Sequence, residues 1–253
     1  MKGPLLGCFL FACAFACHSV PQLCPAVLRM AYNSDWLPYV KLTDENVTGT
    51  DIELVRSLAI RLGSSLQLIQ MSEQRALQQL QQGELDLLFA ASFTAERASY
   101  AYFSLPYREE NITAVLSKAL LAQHPELQSS AVFFQLAAKR WSGAVNTAGY
   151  YGEDFERFKQ QDGQSRLYHV AEELRRLQMV AQGRAQYSIV DQNVAHYHIR
   201  QHKELAGLQL LPFLLHHSGI HLMLSKKTIT ASCVQQVDLL LKTHLRHQTA
   251  SAQ

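Results

Sequence analysis

The chain has 253 residues, enough for one large or two small α/β domains, with 48% hydrophobic and 17% charged side chains. That balance describes a packed globular protein and excludes disorder. A formal net charge of +2 and the lack of a basic run interleaved with aromatics argue against nucleic acid or an anionic membrane as partner.

The first residues read as an export signal. Met1-Lys2 is a short positive start, Leu5 to Cys17 is almost wholly apolar, and Ala14-Phe15-Ala16 is an A-x-A cleavage site. The expected signal peptide is 1–16, too short to span a membrane as a mature anchor, and the mature protein is expected in the periplasm. Cys13 and Cys17 also sit where a lipoprotein signal places its cysteine, but Phe15 makes a poor lipobox, so a lipid-anchored form is the minority reading. Cys24 and Cys233 remain in the mature chain, either as a disulfide of an oxidising compartment or as two unrelated buried thiols.

Ala26 to Tyr32 alternates apolar and polar residues as a strand does. Asn33 to Tyr39 is a loop of turn formers and aromatics. Thr50-x-x-Glu53 has the spacing of a capping box, and Ile52, Val55, Leu58, Ala59 and Leu62 follow at helical spacing up to Gly63. Leu66 to Ile69 is a second strand. Ser72 caps a second helix that stops at Gly83, and Leu85 to Ala91 is a third strand. This β-α-β-α-β order is the signature of a parallel sheet covered on both faces.

Ser92, Thr94 and Arg97 follow that third strand. Open α/β sheets bind ligands beyond the carboxyl ends of their strands, and an arginine there can fork onto a carboxylate. The competing reading makes Arg97 a solvated helix residue, with Ser92 and Thr94 as turn and cap. Spacing alone leaves both open.

Ile112 to Ser117 is a strand leading away from this unit, and Leu121 to Leu127 reads as a loop. Gln135 to Arg140 is helical, Ser142 to Asn146 a strand, and 149–152 a glycine turn. Glu153 to Gln160 is a helix with Phe155 and Phe158 on one face. Ala171 to Gln182 is another, and Tyr187 to Val190 is a strand ending at Asp191. Leu208 to Leu214 and Ile220 to Leu224 read as strands before a closing helix from Thr228 to His247. Glu109 and Glu110 read as a solvated pair. His196, His198, His216, His217 and His221 lack a partner at metal-site spacing and read as surface or packing histidines, so no metal or cofactor is expected. Arg75 reads equally as a cleft residue or a solvated helix start.

The segments WLPY (36–39), GTDIEL (49–54), RALQQLQQGELDLL (75–88), SFTAER (92–97), FSLPY (103–107), GYYGEDF (149–155) and GRAQYSIVDQ (183–192), in this order and spacing, resemble the bacterial extracellular solute-binding proteins of the polar amino acid uptake type. The resemblance covers nearly all of the mature chain. It implies a two-lobed periplasmic-binding-protein-like α/β fold. Each lobe is a mixed, mostly parallel sheet flanked by helices, and two strands form the hinge. Lobe one is expected at 24–112 plus 213–250, and lobe two at 113–212.

The resemblance further implies a small carboxylate-bearing solute, an amino acid, held in the interlobe cleft for delivery to an inner-membrane ABC permease by a monomer that is not an enzyme. It makes Arg97 and Ser92 the carboxylate anchors, Trp36 the aromatic cover from the loop that also holds Asn33, and Asp191 the ammonium acceptor. Gly149 and Tyr150 are the lobe-two turn that closes on the carboxylate. Ala90, Tyr150 and Gln186 depart from the family pattern and bear on which ligand is taken. Two other functions fit the same fold: a periplasmic dehydratase acting on cyclohexadienyl acids, for which Glu153 and Asp191 are the candidate acids, and a soluble sensor subunit.

Overall fold

The computed structural model describes residues 23–163 and 166–251. The expected signal segment and Cys17 lie outside them. In chain order the elements are β1 (Val27–Tyr32), β2 (Lys41–Leu42), β3 (Val47–Thr48), α1 (Thr50–Arg61), β4 (Ser65–Gln70), α2 (Glu73–Gln82), β5 (Leu87–Ser92), α3 (Ala95–Tyr100), β6 (Ala101–Phe103) and β7 (Arg108–Ser117). There follow α4 (Lys118–Gln123), α5 (Ser130–Arg140), β8 (Gly143–Val145), α6 (Glu153–Phe158), β9 (Leu167–His169), α7 (Glu173–Ala181), β10 (Tyr187–Asp191), α8 (Gln192–Gln201), β11 (Leu208–Leu210), β12 (His216–Ser225) and α9 (Ala231–Ser251).

Two long strands make the architecture. The first half of β7 pairs antiparallel with the first half of β12, from Ile112↔His216 to Arg108↔Ile220. The second half of β12 then runs into one lobe against β5 and β6. The second half of β7 runs into the other against β10 and β11. In lobe one β4, β1 and β5 are mutually parallel, and in lobe two β10, β8 and β9 are parallel. The sheet is therefore continuous through the hinge, in the order β4-β1-β5-β12-β7-β10-β8-β9. Parallel strands need long crossovers, which the helices supply.

Each lobe has its own apolar core. Lobe one packs Leu28, Met30, Ile52, Val55 and Leu58 against Leu222, Leu224 and Val237. Lobe two packs Phe133, Trp141, Phe155 and Tyr187 against Ile112 and Leu116. Cys24, just before β1, and Cys233, in α9, form a disulfide with their Cα atoms 5.0 Å apart and a sequence separation of 209. A loop of that length gives about 5 kcal/mol in the chain-entropy account of disulfide stabilisation.

Local chemistry departs from the sequence reading in several places. The capping box at Thr50 does not form: Gly49 is the N-cap of α1, with no side-chain bond. Its φ is +115°, and a Cβ there would lie 2.3 Å from the Tyr39 carbonyl. The close approach of the Tyr39 loop, bonded through Asp51 N–H to Tyr39 O, requires glycine and displaces the cap by one residue. The loop expected over 121–127 begins only after Gln123: 118–123 form α4, capped by Ser117 Oγ accepting from Leu120 N–H. Helix α8 and strand β9 were not foreseen, and the strand expected over 208–214 stops at Leu210. Ser72, Thr94 and the left-handed Gly83 cap as their residue types dictate.

Candidate functional site

One cavity of about 190 Å³ lies between the lobes, floored by the hinge strands. Asn33, Trp36, Ser92, Arg97, Gly149, Tyr150 and Asp191 all line it. Residues from 33 to 191 are thus brought to one surface. The structure does not bring Glu153 or Arg75 there.

The lobe-one wall is the end of β5. Between Ala91↔His221 and Leu88↔Met223 the ladder slips by one residue, a bulge that turns the strand end outward. Ala90 in this bulge has φ +54°, and its N–H donates to the Tyr107 hydroxyl at 3.0 Å. Ser92 ends the strand. Thr94 Oγ1 accepts from Arg97 N–H at 3.2 Å and starts α3, which sets the Arg97 side chain over the cleft. Its guanidinium donates to Ser92 O at 3.2 Å and, from the other terminal nitrogen, to Ala148 O of lobe two at 3.4 Å. A guanidinium has five N–H donors, so capacity remains.

The first loop packs Trp36 against Tyr39 in a tilted pair, with ring centroids 4.8 Å apart and an interplanar angle of 54°. The Arg108 guanidinium lies 3.8 Å from the Tyr39 ring centroid and 5.1 Å from that of Trp36 and is paired with Asp51. Cation–π attraction and this ion pair fix the loop on the hinge. Burial and the charge of Asp191 hold the Tyr39 phenol protonated, raised to about 12.

The lobe-two wall is the end of β10. Asp191 is 3% exposed and caps α8: its Oδ1 accepts from Asn193 N–H at 3.0 Å and Val194 N–H at 3.1 Å. Tyr39 Oη of lobe one also donates to Oδ1, at 3.3 Å. Oδ2 is buried with no partner among the described residues. A buried carboxylate oxygen left unpaired is costly, and Asp191 lines the cavity. Gly149 and Tyr150 stand on the same side, but α6 begins only at Glu153 behind its N-cap Gly152, and Gly149 N–H is directed to Asn146 O at 3.4 Å.

Three groups in the cleft were not anticipated. Glu110, read as half of a solvated pair, is 8% exposed and lines the cavity. β7 alternates, so Glu109 faces outward toward His217 and Glu110 inward. Burial above all pushes the Glu110 carboxyl up to about 7, opposed by Arg108 and aided by the charges of Asp191, Glu173 and Asp51. Glu173, raised chiefly by burial, and Arg176 are an ion pair at the start of α7, and Glu173 Oε1 and Arg176 Nε lack hydrogen-bond partners among the described residues. Glu73 of lobe one accepts two bonds from Asn146 of lobe two, at 2.9 and 2.8 Å. Carboxyl groups outnumber guanidinium groups along the wall: Asp35, Glu73, Glu110, Glu173 and Asp191 against Arg97 and Arg176. The histidines make no convergent set; among the described residues no three His, Cys, Asp or Glu meet to hold a metal.

Bacterial extracellular solute-binding proteins, family 3, match residues 28–209, and the chain belongs to that family. A cyclohexadienyl dehydratase from Pseudomonas aeruginosa is 25% identical over 184 residues, which is 72% of this chain and 65% of the relative. Among solved structures, an ancestral amino acid-binding protein, a precursor of cyclohexadienyl dehydratase, superposes with a TM-score of 0.72 at 21% identity, covering 90% of this chain and 93% of the other. An amino acid ABC transporter substrate-binding protein from Streptococcus pneumoniae, bound to L-arginine, gives 0.72 at 21% identity, covering 88% and 90%. At that identity these two likenesses establish the two-lobed fold. Among the described residues no helix is long and apolar enough to cross a membrane.

Proposed function

We propose that this protein is exported to the periplasm, captures an amino acid between its lobes and delivers it to an inner-membrane ABC permease. Lobe one comprises 24–112 with 213–250, and lobe two 113–212. One observation carries the reading: Asp191, whose Oδ2 is unpartnered among the described residues, lines the same cavity as Arg97. An α-ammonium completes the first and an α-carboxylate the second. Ser92 adds a bond to the carboxylate, Gly149 and Tyr150 close over it, and Trp36 with Asn33 covers the ligand from the first loop. Charge-assisted bonds at both ends select a zwitterion over a plain acid or amine.

A thermal-shift screen of the common amino acids tests this. At least one is expected to raise the melting temperature, by an amount that grows with the logarithm of ligand concentration over its dissociation constant. Its N-acetyl and its amide derivatives are expected to do nothing. A ligand whose N-acetyl form binds equally well removes Asp191 from the role.

A second reading has one observation behind it. A general acid for a dehydratase must sit in the cleft with its pKa near the working pH, and Glu110, at about 7, meets that condition where Glu153 does not line the cavity. The relative from Pseudomonas aeruginosa supports it. Incubation with a cyclohexadienyl acid, followed by the ultraviolet absorbance of an aromatic product, separates the two: binding without turnover favours transport.

A further inference from the structure

The floor of the cleft carries carboxyl groups beyond the one that an α-ammonium would pair with. Asp191 pairs across the sheet with Ile112, and Glu110 lies two residues along β7 from Ile112, hence on the same face. Asp191 and Glu110 are therefore diagonal neighbours on one surface. On the other side of β7, Glu110 stands opposite Ser218 of β12, whose Oγ is buried without a partner. Glu173, at the start of α7, borders the same cavity, and its Oε1 is also buried and unpartnered. Charges already spoken for leave a remainder. Arg176 pairs with Glu173, and Arg108 pairs through Nε with Asp51, its two terminal nitrogens having no hydrogen-bond partner among the described residues. With the ligand's carboxylate on Arg97 and its α-ammonium on Asp191, Glu110 makes no ion pair among the described residues.

We propose that Glu110, with the free oxygen of Glu173, forms a second cation subsite beside Asp191 that takes the distal ammonium or guanidinium of a dibasic amino acid. The proposal rests on the amino acid-binding reading and names the ligand class of that site. A buried carboxylate without a counter-ion is unfavourable, and a ligand cation relieves it. In the ligand-free protein the same group escapes the penalty by holding a proton. Burial raises Glu110 to about 7, with Asp191 from β10, Glu173 from α7 and Asp51 from α1 adding to it and Arg108 on its own strand opposing. His216 of β12 pairs with Ile112 on the same face, and burial lowers its pKa, which keeps it neutral there. Entry of a second positive charge therefore expels the Glu110 proton, and affinity for a dibasic ligand rises with pH up to about 7.

Calorimetric titration with L-lysine and L-arginine, and with their uncharged isosteres L-norleucine and L-citrulline, tests this on the wild type and on Glu110→Gln. At pH 7, in buffers of differing ionisation heat, the wild type is expected to prefer the charged ligand of each pair by about 10-fold to 100-fold and to release a proton on binding it. Glu110→Gln is expected to lose most of that preference and the proton release, while its affinity for the isosteres stays within a few-fold. Glu110→Asp, which keeps the charge, is expected to retain the preference in part. Lysine against arginine separates an ammonium from a guanidinium site. An undiminished preference in Glu110→Gln, or a wild type that binds the isosteres as well as the charged forms, overturns the subsite and leaves amino acid binding standing. A wild type that binds none of the four, nor any other amino acid, overturns both.

Discussion

Tyr39 of lobe one donates its hydroxyl to Asp191 of lobe two across 3.3 Å, and Asn193 donates to the same hydroxyl at 3.2 Å. The bond links the loop that covers the cleft to the carboxylate at its far wall. With Glu73–Asn146 and Arg97–Ala148, it holds the lobes together without ligand. Tyr39→Phe should remove it and shift the population toward open forms. A net hydrogen bond is worth about 1 kcal/mol, so ligand affinity should fall about five-fold and the ligand-free radius of gyration should rise in solution scattering. An unchanged radius and affinity would show that the contact adds nothing to closure.

Asp191 has two tasks on its two oxygens, and substitutions separate them. Asn is as good an N-cap as Asp, so Asp191→Asn should keep α8 in place and the melting temperature close to wild type. It should nevertheless bind amine-bearing ligands at least about 100-fold more weakly, because the charge facing the ammonium is gone. Asp191→Ala should lose the cap as well, at about 0.5–2 kcal/mol of stability. Urea denaturation of the two variants beside their ligand titrations reads both effects.

Glu110 sets a pH dependence of the empty protein. Its folded pKa, about 7, lies above the 4.5 of an unperturbed glutamate. Below 4.5 the group is protonated folded or unfolded and contributes nothing. Between 4.5 and 7 the unfolded chain ionises first, so stability falls as pH rises, by up to about 3 kcal/mol in all. Glu110→Gln should therefore gain melting temperature relative to wild type as pH goes from 4.5 to 8 and match it at the acid end. Parallel curves across that range would place the Glu110 carboxylate in water.

The legible part of this site follows from where each signal lies. Ser92, Thr94 and Arg97 sit within six residues of one strand end, so a local pattern holds them together; Asp191 ends an apolar strand and carries its own signal. Glu110 was misread because Arg108-Glu109-Glu110-Asn111 is polar throughout. Alternation assigns two faces there, and only the pairing of β7 with β12 and β10 decides which one meets the cleft. Glu173 was lost for a similar reason, in a stretch where Glu172 and Glu173 are interchangeable until the helix start is fixed. Helix α8 escaped because its cap is Asp191 itself, and Gln192 to Gln201 holds few apolar residues. The capping box failed at Thr50 because a contact from ten residues upstream, the Tyr39 carbonyl, claims the cap position for Gly49. The disulfide needed β1 and α9 to be placed side by side.

The central claim is that the cleft holds an amino acid by its two charged ends, with Arg97 at the carboxylate. Arg97→Lys keeps the charge and loses the planar fork; Arg97→Ala loses both. Neither should move the melting temperature of the empty protein far, since the bonds lost, to Ser92 O and Ala148 O, are long. Calorimetric titration of both variants, with the amino acid that most stabilises the wild type, decides the matter. The account predicts that affinity falls about 100-fold or more in each, with lysine nearly as damaging as alanine. Two variants that bind like wild type would make Arg97 a solvated helix residue and would contradict the account.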